Sequence, residues 1–483
     1  MARRRNPYPA LVVAALVPAL ALGGCWNFAS GRAPEGVTLA PVTSTQPAVV
    51  PPALSTPLLS FRRAPAVLSQ SVNLGTFVAA GQQFAGTVDS TSCVEIALDG
   101  VPVAAANADV PLIPASNVKL VVASVALEVL GADFRYHTGV RGSLAGGVVD
   151  GNLYMVGSGD PLLSSSWWRG SSELYPKFNV TSIERLADAI VSAGVTSITG
   201  SVVGDSSRYD GEWYPPTWSQ DIRFTEGGPI SALLVNDDRE TPTVSSDDPT
   251  IGAATVLTTL LAERGVTIGG TPSAGVAPEG TAEIAFVESK PLTAVLAEML
   301  TTSDNNTAEM VVKELGVARG GAGTREAGLS VVVETLTARG IDMTNAVLVD
   351  GSGLSSENRL TCSILMDVLQ DHDPSDPVGA GLAVAGASGS TLYDAFADTE
   401  LSGLLRAKTG TLYNYADGTG GLPAVKGLSG YVPVDGGGVV QFSMLLNGPD
   451  IAEKERYRPV WAALGVVLAG YPAGVSPAEL GPR

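Results

Sequence analysis

The stretch that most limits how this chain can fold begins at Ser116. Val118, Leu120, Val121, Val122, Val125, Leu127 and Val129 put apolar side chains on almost every side of a helix, and Gly131 stops it. Such a helix is buried. It holds one cation, Lys119, three residues after Ser116 and therefore about one turn away on the same face. A lysine serves as a base only when burial or neighbouring positive charge lowers its pKa, and the apolar turns around Lys119 make a neutral amine plausible. The start of a helix also points backbone N–H groups at the Ser116 oxygen, which suits an oxyanion. Ser116 and Lys119 are thus a candidate nucleophile and base.

With 483 residues, 45% of them hydrophobic and 16% charged, the chain has room for two or three domains around this helix. Arg3, Arg4 and Arg5 precede an uncharged run from Ala10 to Leu22, the layout of a secretory signal in residues 1–25. Leu22, Gly23, Gly24 and Cys25 resemble a lipobox, which would place a lipid on Cys25. Cleavage after Ala19-Leu20-Ala21 and an uncleaved N-terminal anchor are the other two readings, and all three export the protein. Residues 26–67, with repeated prolines and no amphipathic period, read as a tether.

From Thr87 the pattern changes. Cys93 to Ala105 reads as a hairpin turning at Asp99-Gly100. Residues 140–289 mix short strands such as Leu153 to Val156 with loops and two helical stretches, Ile183 to Ala193 and Ala253 to Arg264, and read as an inserted, strand-rich domain. Helices at Leu292 to Leu300 and Ala308 to Leu315 bracket a polar break, Thr301 to Asn306. Strands follow at Leu401 to Tyr413 and Lys426 to Leu446, with a turn at Asp435 to Gly438, and a helix at Ala452 to Ala469 closes the chain. Residues 68–139 and 290–483 together describe an α+β domain whose sheet is assembled from both ends of the sequence.

Several function classes are disfavoured. A net charge of -19 and a pI near 4.5 argue against nucleic acid as a partner. A Ser-His-Asp hydrolase has two histidines to draw on, His137 and His372, and no Gly-x-Ser-x-Gly elbow. Three dispersed cysteines and two histidines argue against a conventional metal site, and no cofactor is expected. Cys93 and Cys362 fit equally one disulfide or two buried thiols. Trp167, Trp168, Trp213 and Trp218 could line a glycan groove, but packing in the inserted domain's own core is the preferred reading.

Two more motifs join the first. Ser303-Asp304-Asn305 falls in the polar break, and Lys408-Thr409-Gly410 lies on an expected strand. Ser-x-x-Lys, Ser-Asp-Asn and Lys-Thr-Gly in that order are the catalytic set of penicillin-binding proteins and class A β-lactamases. The chain has only seven lysines and two stand in these motifs, so chance is a poor explanation.

With Pro114 to Leu120, Gly157-Ser158-Gly159-Asp160-Pro161 and Asp350-Gly351-Ser352-Gly353-Leu354-Ser355, the text from about Thr87 to Gly470 resembles the low-molecular-mass class C penicillin-binding proteins, serine D-alanyl-D-alanine carboxypeptidases and endopeptidases. The 186 residues between Ser116 and Ser303 match the long insertion of that family and are too many for class A β-lactamases.

The resemblance implies a β-lactamase-like antiparallel sheet flanked by helices, and peptidoglycan stem peptides and β-lactams as partners. It further implies Ser116 as nucleophile, Lys119 as base, Ser303 passing a proton to the leaving nitrogen, and Asn305 holding the substrate amide and Lys119. Lys408 and Thr409 would bind the terminal carboxylate. Gly410 would lie in the substrate-binding strand, and the N–H groups of Ser116 and Thr411 would make the oxyanion hole. Asp304 would support its loop. A β-lactam-hydrolysing enzyme and an inactive wall-binding relative are the alternatives. Two departures stand out: the insertion is shorter than in the larger family members, and the glycine-bearing run from Leu412 to Ala424 is longer than the usual link after Lys-Thr-Gly.

Overall fold

The computed structural model describes residues 64–170, 172–413, 422–434, 438–472 and 476, all within one unit spanning Phe61–Arg483. The signal, Cys25 and nearly all of the tether lie outside the described residues. So do residues 414–421 of the glycine-bearing run and 435–437 of the expected turn.

The first element corrects the tether reading. Helix α1 (Ala64–Ala85) starts four residues inside the stretch read as tether. Its Gly75, Gly81, serines and β-branched residues make it a poor helix by propensity, and packing holds it. Phe77 and Phe84 are buried, and Gly81 lets the helix approach Val103 and Ala104 closely.

Strands β1 (Cys93–Leu98) and β2 (Val101–Ala106) form the expected hairpin, with Asp99 and Gly100 both at positive φ (49° and 75°), as a tight two-residue turn requires. A 3₁₀ turn, Ala115–Asn117, leads into the apolar helix α2 (Val118–Leu130).

The chain then leaves for a second sheet. β3 (His137–Ala145), β4 (Val148–Val156) and a later strand pair antiparallel, and β5 (Val202–Asp205) runs parallel to β4. Helices α3 (Ile183–Ser192) and α4 (Pro249–Glu263) cover it. The Ser182 hydroxyl caps α3 and the Asp248 carboxylate caps α4, with Pro249 opening the latter. Leu153, Met155, Ile183, Leu186, Ile190 and Leu257 form its core. Strand β6 (Glu283–Glu288) closes the sheet against β3.

Helices α5 (Leu292–Thr302) and α6 (Asn305–Leu315) meet with only Ser303 and Asp304 between them, a shorter break than the polar residues suggested. Ser303 turns the chain at φ 65°, and Asp304 caps α6 by accepting the Thr307 N–H (2.6 Å). Helices α7 (Arg325–Ala338) and α8 (Cys362–Gln370) complete a helical layer around α2.

The main sheet runs β7 (Ala383–Val384), β8 (Arg406–Leu412), β9 (Ala424–Pro433), β10 (Val439–Gly448), β1, β2, antiparallel throughout. It is assembled from both ends of the chain, as expected. Strand β8 begins five residues later than Leu401, because the Leu404 and Leu405 N–H groups turn back onto the Leu401 carbonyl. The other sheet face packs on α1 and α9 (Lys454–Ala469), burying Val440, Phe442, Met444 and Leu446 at every second position of β10. A disulfide joins Cys93 of β1 to Cys362 of α8, with Cα atoms 6.1 Å apart, and ties the sheet to the helical layer.

Candidate active site

Ser116 sits on the 3₁₀ turn just ahead of α2, half-buried, while Lys119 in the first turn of α2 is fully buried. The residue before the serine, Ala115, has φ 46°, an unfavourable conformation for an alanine. Packing enforces it. A side chain on Gly353 would run into the Ala115 carbonyl, and one on Gly410 would meet Asn117 Nδ2 (2.7 Å) and the Pro114 carbonyl (2.9 Å). The glycines of two motifs are therefore what allows a loop and a strand to grip the turn that presents Ser116.

Lys119 Nζ lies 3.0 Å from Ser116 Oγ, 2.7 Å from Asn305 Oδ1 and 2.6 Å from the Ser352 carbonyl oxygen. A neutral amine has two N–H bonds and one lone pair. The two carbonyl oxygens accept both N–H bonds, leaving the lone pair for the serine hydroxyl. Burial lowers the Lys119 amine to about 8, partly offset by the Glu309 and Asp350 carboxylates.

The Ser352 carbonyl is aimed by a braced turn. Glu309 Oε1 accepts the Gly351 and Ser352 N–H groups (3.0 and 2.7 Å). The buried Asp350 accepts from Gly353 N–H (2.8 Å), Ser355 N–H (2.6 Å), Asn358 Nδ2 (2.7 Å) and Trp218 Nε1 (2.8 Å). Trp218 accordingly packs beside Ala115, Leu354 and Leu412, and not in the core of the second sheet where the sequence reading put it. Trp167 is exposed, and the half-buried Trp168 donates to Asp237 Oδ2 (3.0 Å).

Opposite α6 stands β8. Strand β7 pairs with it only at Arg406 and Ala407, so among the described residues the edge from Lys408 to Leu412 carries no further strand on that side. An open edge can take an extended peptide. Lys408 is buried, with Nζ donating to the Thr409 carbonyl oxygen (2.8 Å). Burial, with Lys119 and Lys426 nearby, holds its amine well below the usual lysine range. The Thr409 hydroxyl donates to Thr391 Oγ1 (2.9 Å), and Thr411 Oγ1 accepts from Lys426 Nζ (2.8 Å).

All three motifs thus meet around Ser116. Sequence reasoning missed the Ser352 carbonyl, Glu309, Trp218, Lys426 and Lys177. Glu309 had a signal: it lies one helical turn beyond Asn305 on α6. Lys177 comes from the long connection after β4, where no spacing points to the site. Its Nζ pairs with Asp237 (2.7 Å) and Asp304 (3.3 Å).

The histidines lie elsewhere. His137 stacks on Phe286 with ring centroids 4.4 Å apart. His372 bridges Asp376 (2.6 Å) and Ser124 Oγ (2.8 Å), a Ser-His-Asp chain in outline. Ser124 is 1% exposed and its Oγ also accepts from Arg339 Nη1 (2.6 Å), so no carbonyl can approach it. Among the described residues no group of His, Cys, Asp and Glu could hold a metal ion.

A serine hydroxyl against a buried amine, beside an open strand edge, is what acyl transfer through serine requires. Comparison with known proteins gives the family. Residues 82–248 and 237–468 match the D-Ala-D-Ala carboxypeptidase 3 (S13) family, and the chain belongs to it. It is a serine peptidase, a hydrolase, with the α+β fold of the penicillin-binding proteins. A carboxypeptidase of Mycobacterium tuberculosis is 32% identical over 71% of this chain and 73% of its own length. The carboxypeptidase DacB of Mycolicibacterium smegmatis is 30% identical over 92% and 94%. Penicillin binding protein 4 (dacB) of Haemophilus influenzae shares the fold, with a TM-score of 0.65 at 20% identity over 80% of this chain and 97% of that one.

Proposed function

We propose that Ser116 attacks the carbonyl of the penultimate D-alanine of a peptidoglycan stem peptide while Lys119 accepts its proton. The observation that carries this reading is the Lys119 amine, held by two carbonyl acceptors with its lone pair left for Ser116 Oγ at 3.0 Å. The N–H groups of Ser116 and Thr411 stabilise the oxyanion, Ser303 relays the proton to the leaving nitrogen, and Asn305 orients the substrate amide. Lys408 and Thr409 take the terminal carboxylate, and Gly410 lets the strand lie close to the turn. Water then releases the acyl group. Penicillin acylates the same serine and leaves slowly.

Residues 68–139 and 290–483 form the catalytic domain in this reading, with 140–289 as the insertion. The protein is exported, either to the outer face of the cytoplasmic membrane, held by a lipid on Cys25 or by its N-terminal signal, or to the cell-wall space. Support for this comes from the three arginines, the apolar run and the residues before Cys25.

Intact-protein mass spectrometry with penicillin tests the chemistry. One penicillin mass is expected on the wild type and none on Ser116→Ala. Consumption without a lasting adduct would favour the β-lactam-hydrolysing alternative, and no reaction the inactive one.

A further inference from the structure

The connection after β4 carries Lys177, and its backbone is folded back by the Lys177 N–H donating to the Arg169 carbonyl oxygen (2.9 Å). Leu174 and Phe178 on either side of it stay about half exposed, so burial of apolar surface does not fix its position. Polar fastenings do. Lys177, with its side chain 4% exposed, pairs with Asp304 next to Ser303, and Asn179 Nδ2 donates to the Ala294 carbonyl of α5 (2.7 Å).

Two residues before Lys177 is Tyr175, whose ring meets the Tyr393 ring edge-on with centroids 6.2 Å apart. Tyr393 is two residues from Thr391, which accepts the hydrogen bond of the Thr409 hydroxyl. A chain of contacts, Asp304 to Lys177, then Tyr175 to Tyr393, then Thr391 to Thr409, therefore joins the Ser303 wall of the cleft to strand β8.

In the reading above, Ser303 meets the leaving nitrogen while Lys408 and Thr409 hold the carboxylate of the departing residue. That residue is thus fixed between the two walls the tyrosine contact connects. A terminal D-alanine brings only a methyl group. The amine released from a cross-link belongs to a diamino acid that carries a second peptide and needs an exit between the walls. We propose that Tyr175 and Tyr393 are specificity-determining residues that close this side of the site, favouring release of a single small D-amino acid over cleavage of cross-linked peptides. The inference rests on the assignment of Ser116, Ser303 and Lys408.

The test uses the full chain with a pentapeptide stem monomer and a cross-linked dimer of the same stem, and with penicillin acylation as a separate readout. Wild type should release D-alanine from the monomer at least about tenfold faster than it cuts the dimer, a steric discrimination of ordinary size. Tyr175→Ala and Tyr393→Ala should each raise the dimer-to-monomer ratio about tenfold, whereas Tyr175→Phe and Tyr393→Phe should keep it, since the ring and not the hydroxyl fills the space. Two independent positions keep the test decisive if one alanine variant fails to fold. An acylated protein whose ratio does not move, or a wild type that cuts both substrates equally, overturns the inference alone. A wild type that takes no penicillin on Ser116 overturns the underlying reading and the inference with it.

Discussion

At the scale of single residues, the site depends on a lysine in the wrong solvent. Lys119 is buried, its amine sits at about 8, and only the neutral form can accept the Ser116 proton. Below that pH the amine, the base of the proposed mechanism, is protonated. The rate of penicillin acylation should therefore rise close to tenfold per pH unit up to about 8 and then level off. A flat profile across this range, followed by stopped-flow, would remove Lys119 as the base. Lys119→Arg should lose roughly a thousandfold, because a guanidinium keeps its proton. Gly353 is equally constrained. A methyl group there enters the Ala115 carbonyl, and its φ of 83° already disfavours any side chain. Gly353→Ala should move the Ser116 turn and cut acylation by about a hundredfold, in line with small misplacements of catalytic groups, while the protein still melts cooperatively.

Between elements, two fastenings carry the load. The disulfide spans 269 residues and links the main sheet to the helical layer beneath the site. Cross-linking so long a loop restricts the unfolded chain strongly, so replacing Cys93 and Cys362 together by alanine should cost about 4 kcal/mol in denaturant unfolding. Acylation of the folded molecules should persist, since the groups that hold Lys119 against Ser116, Asn305 and the Ser352 carbonyl, belong to other segments. Lys177 fastens the second sheet's connection to the start of α6 by pairing with two acidic groups, Asp237 and Asp304. Lys177→Met would leave both carboxylates without their cation and should cost roughly 3 kcal/mol. It should also slow acylation, because Asp304 is the cap that sets Asn305 against Lys119. Unchanged acylation with lowered stability would assign Lys177 to the fold alone.

For the whole molecule, the chemistry belongs to the unit from Phe61 onward, which contains every group placed around Ser116. A protein beginning at Phe61 should be acylated by penicillin at the rate of the full chain, within about twofold, since the groups of the proposed chemistry all belong to the unit it keeps. Membrane fractionation of cells expressing both forms would show whether attachment is lost with the first 60 residues, as the proposed anchor requires. Within the unit the second sheet is not a remote appendage. Arg208 pairs with Glu314, Lys313 with Asp210 and Arg325 with Glu212, so residues of the inserted stretch bind the helices that carry the site.

Much of this architecture is legible in the amino-acid order, because periodicity and turn chemistry are local. The all-apolar α2, the hairpin at Asp99-Gly100, the late strands and the closing helix each announce themselves over a few residues, and three short motifs name the chemistry. Helix α1 does not, since its glycines and serines are weak helix formers and only packing against the main sheet and α9 holds it. The sequence left Cys93 and Cys362 undecided, for whether two thiols meet depends on how a strand and a helix far apart in the chain dock. The same is true of Glu309, the Ser352 carbonyl, Lys177 and the Tyr175–Tyr393 contact. Motifs record which groups the reaction needs, whereas the groups that hold them at the right distance and in the right protonation state come together only when distant segments exclude water from the same cavity.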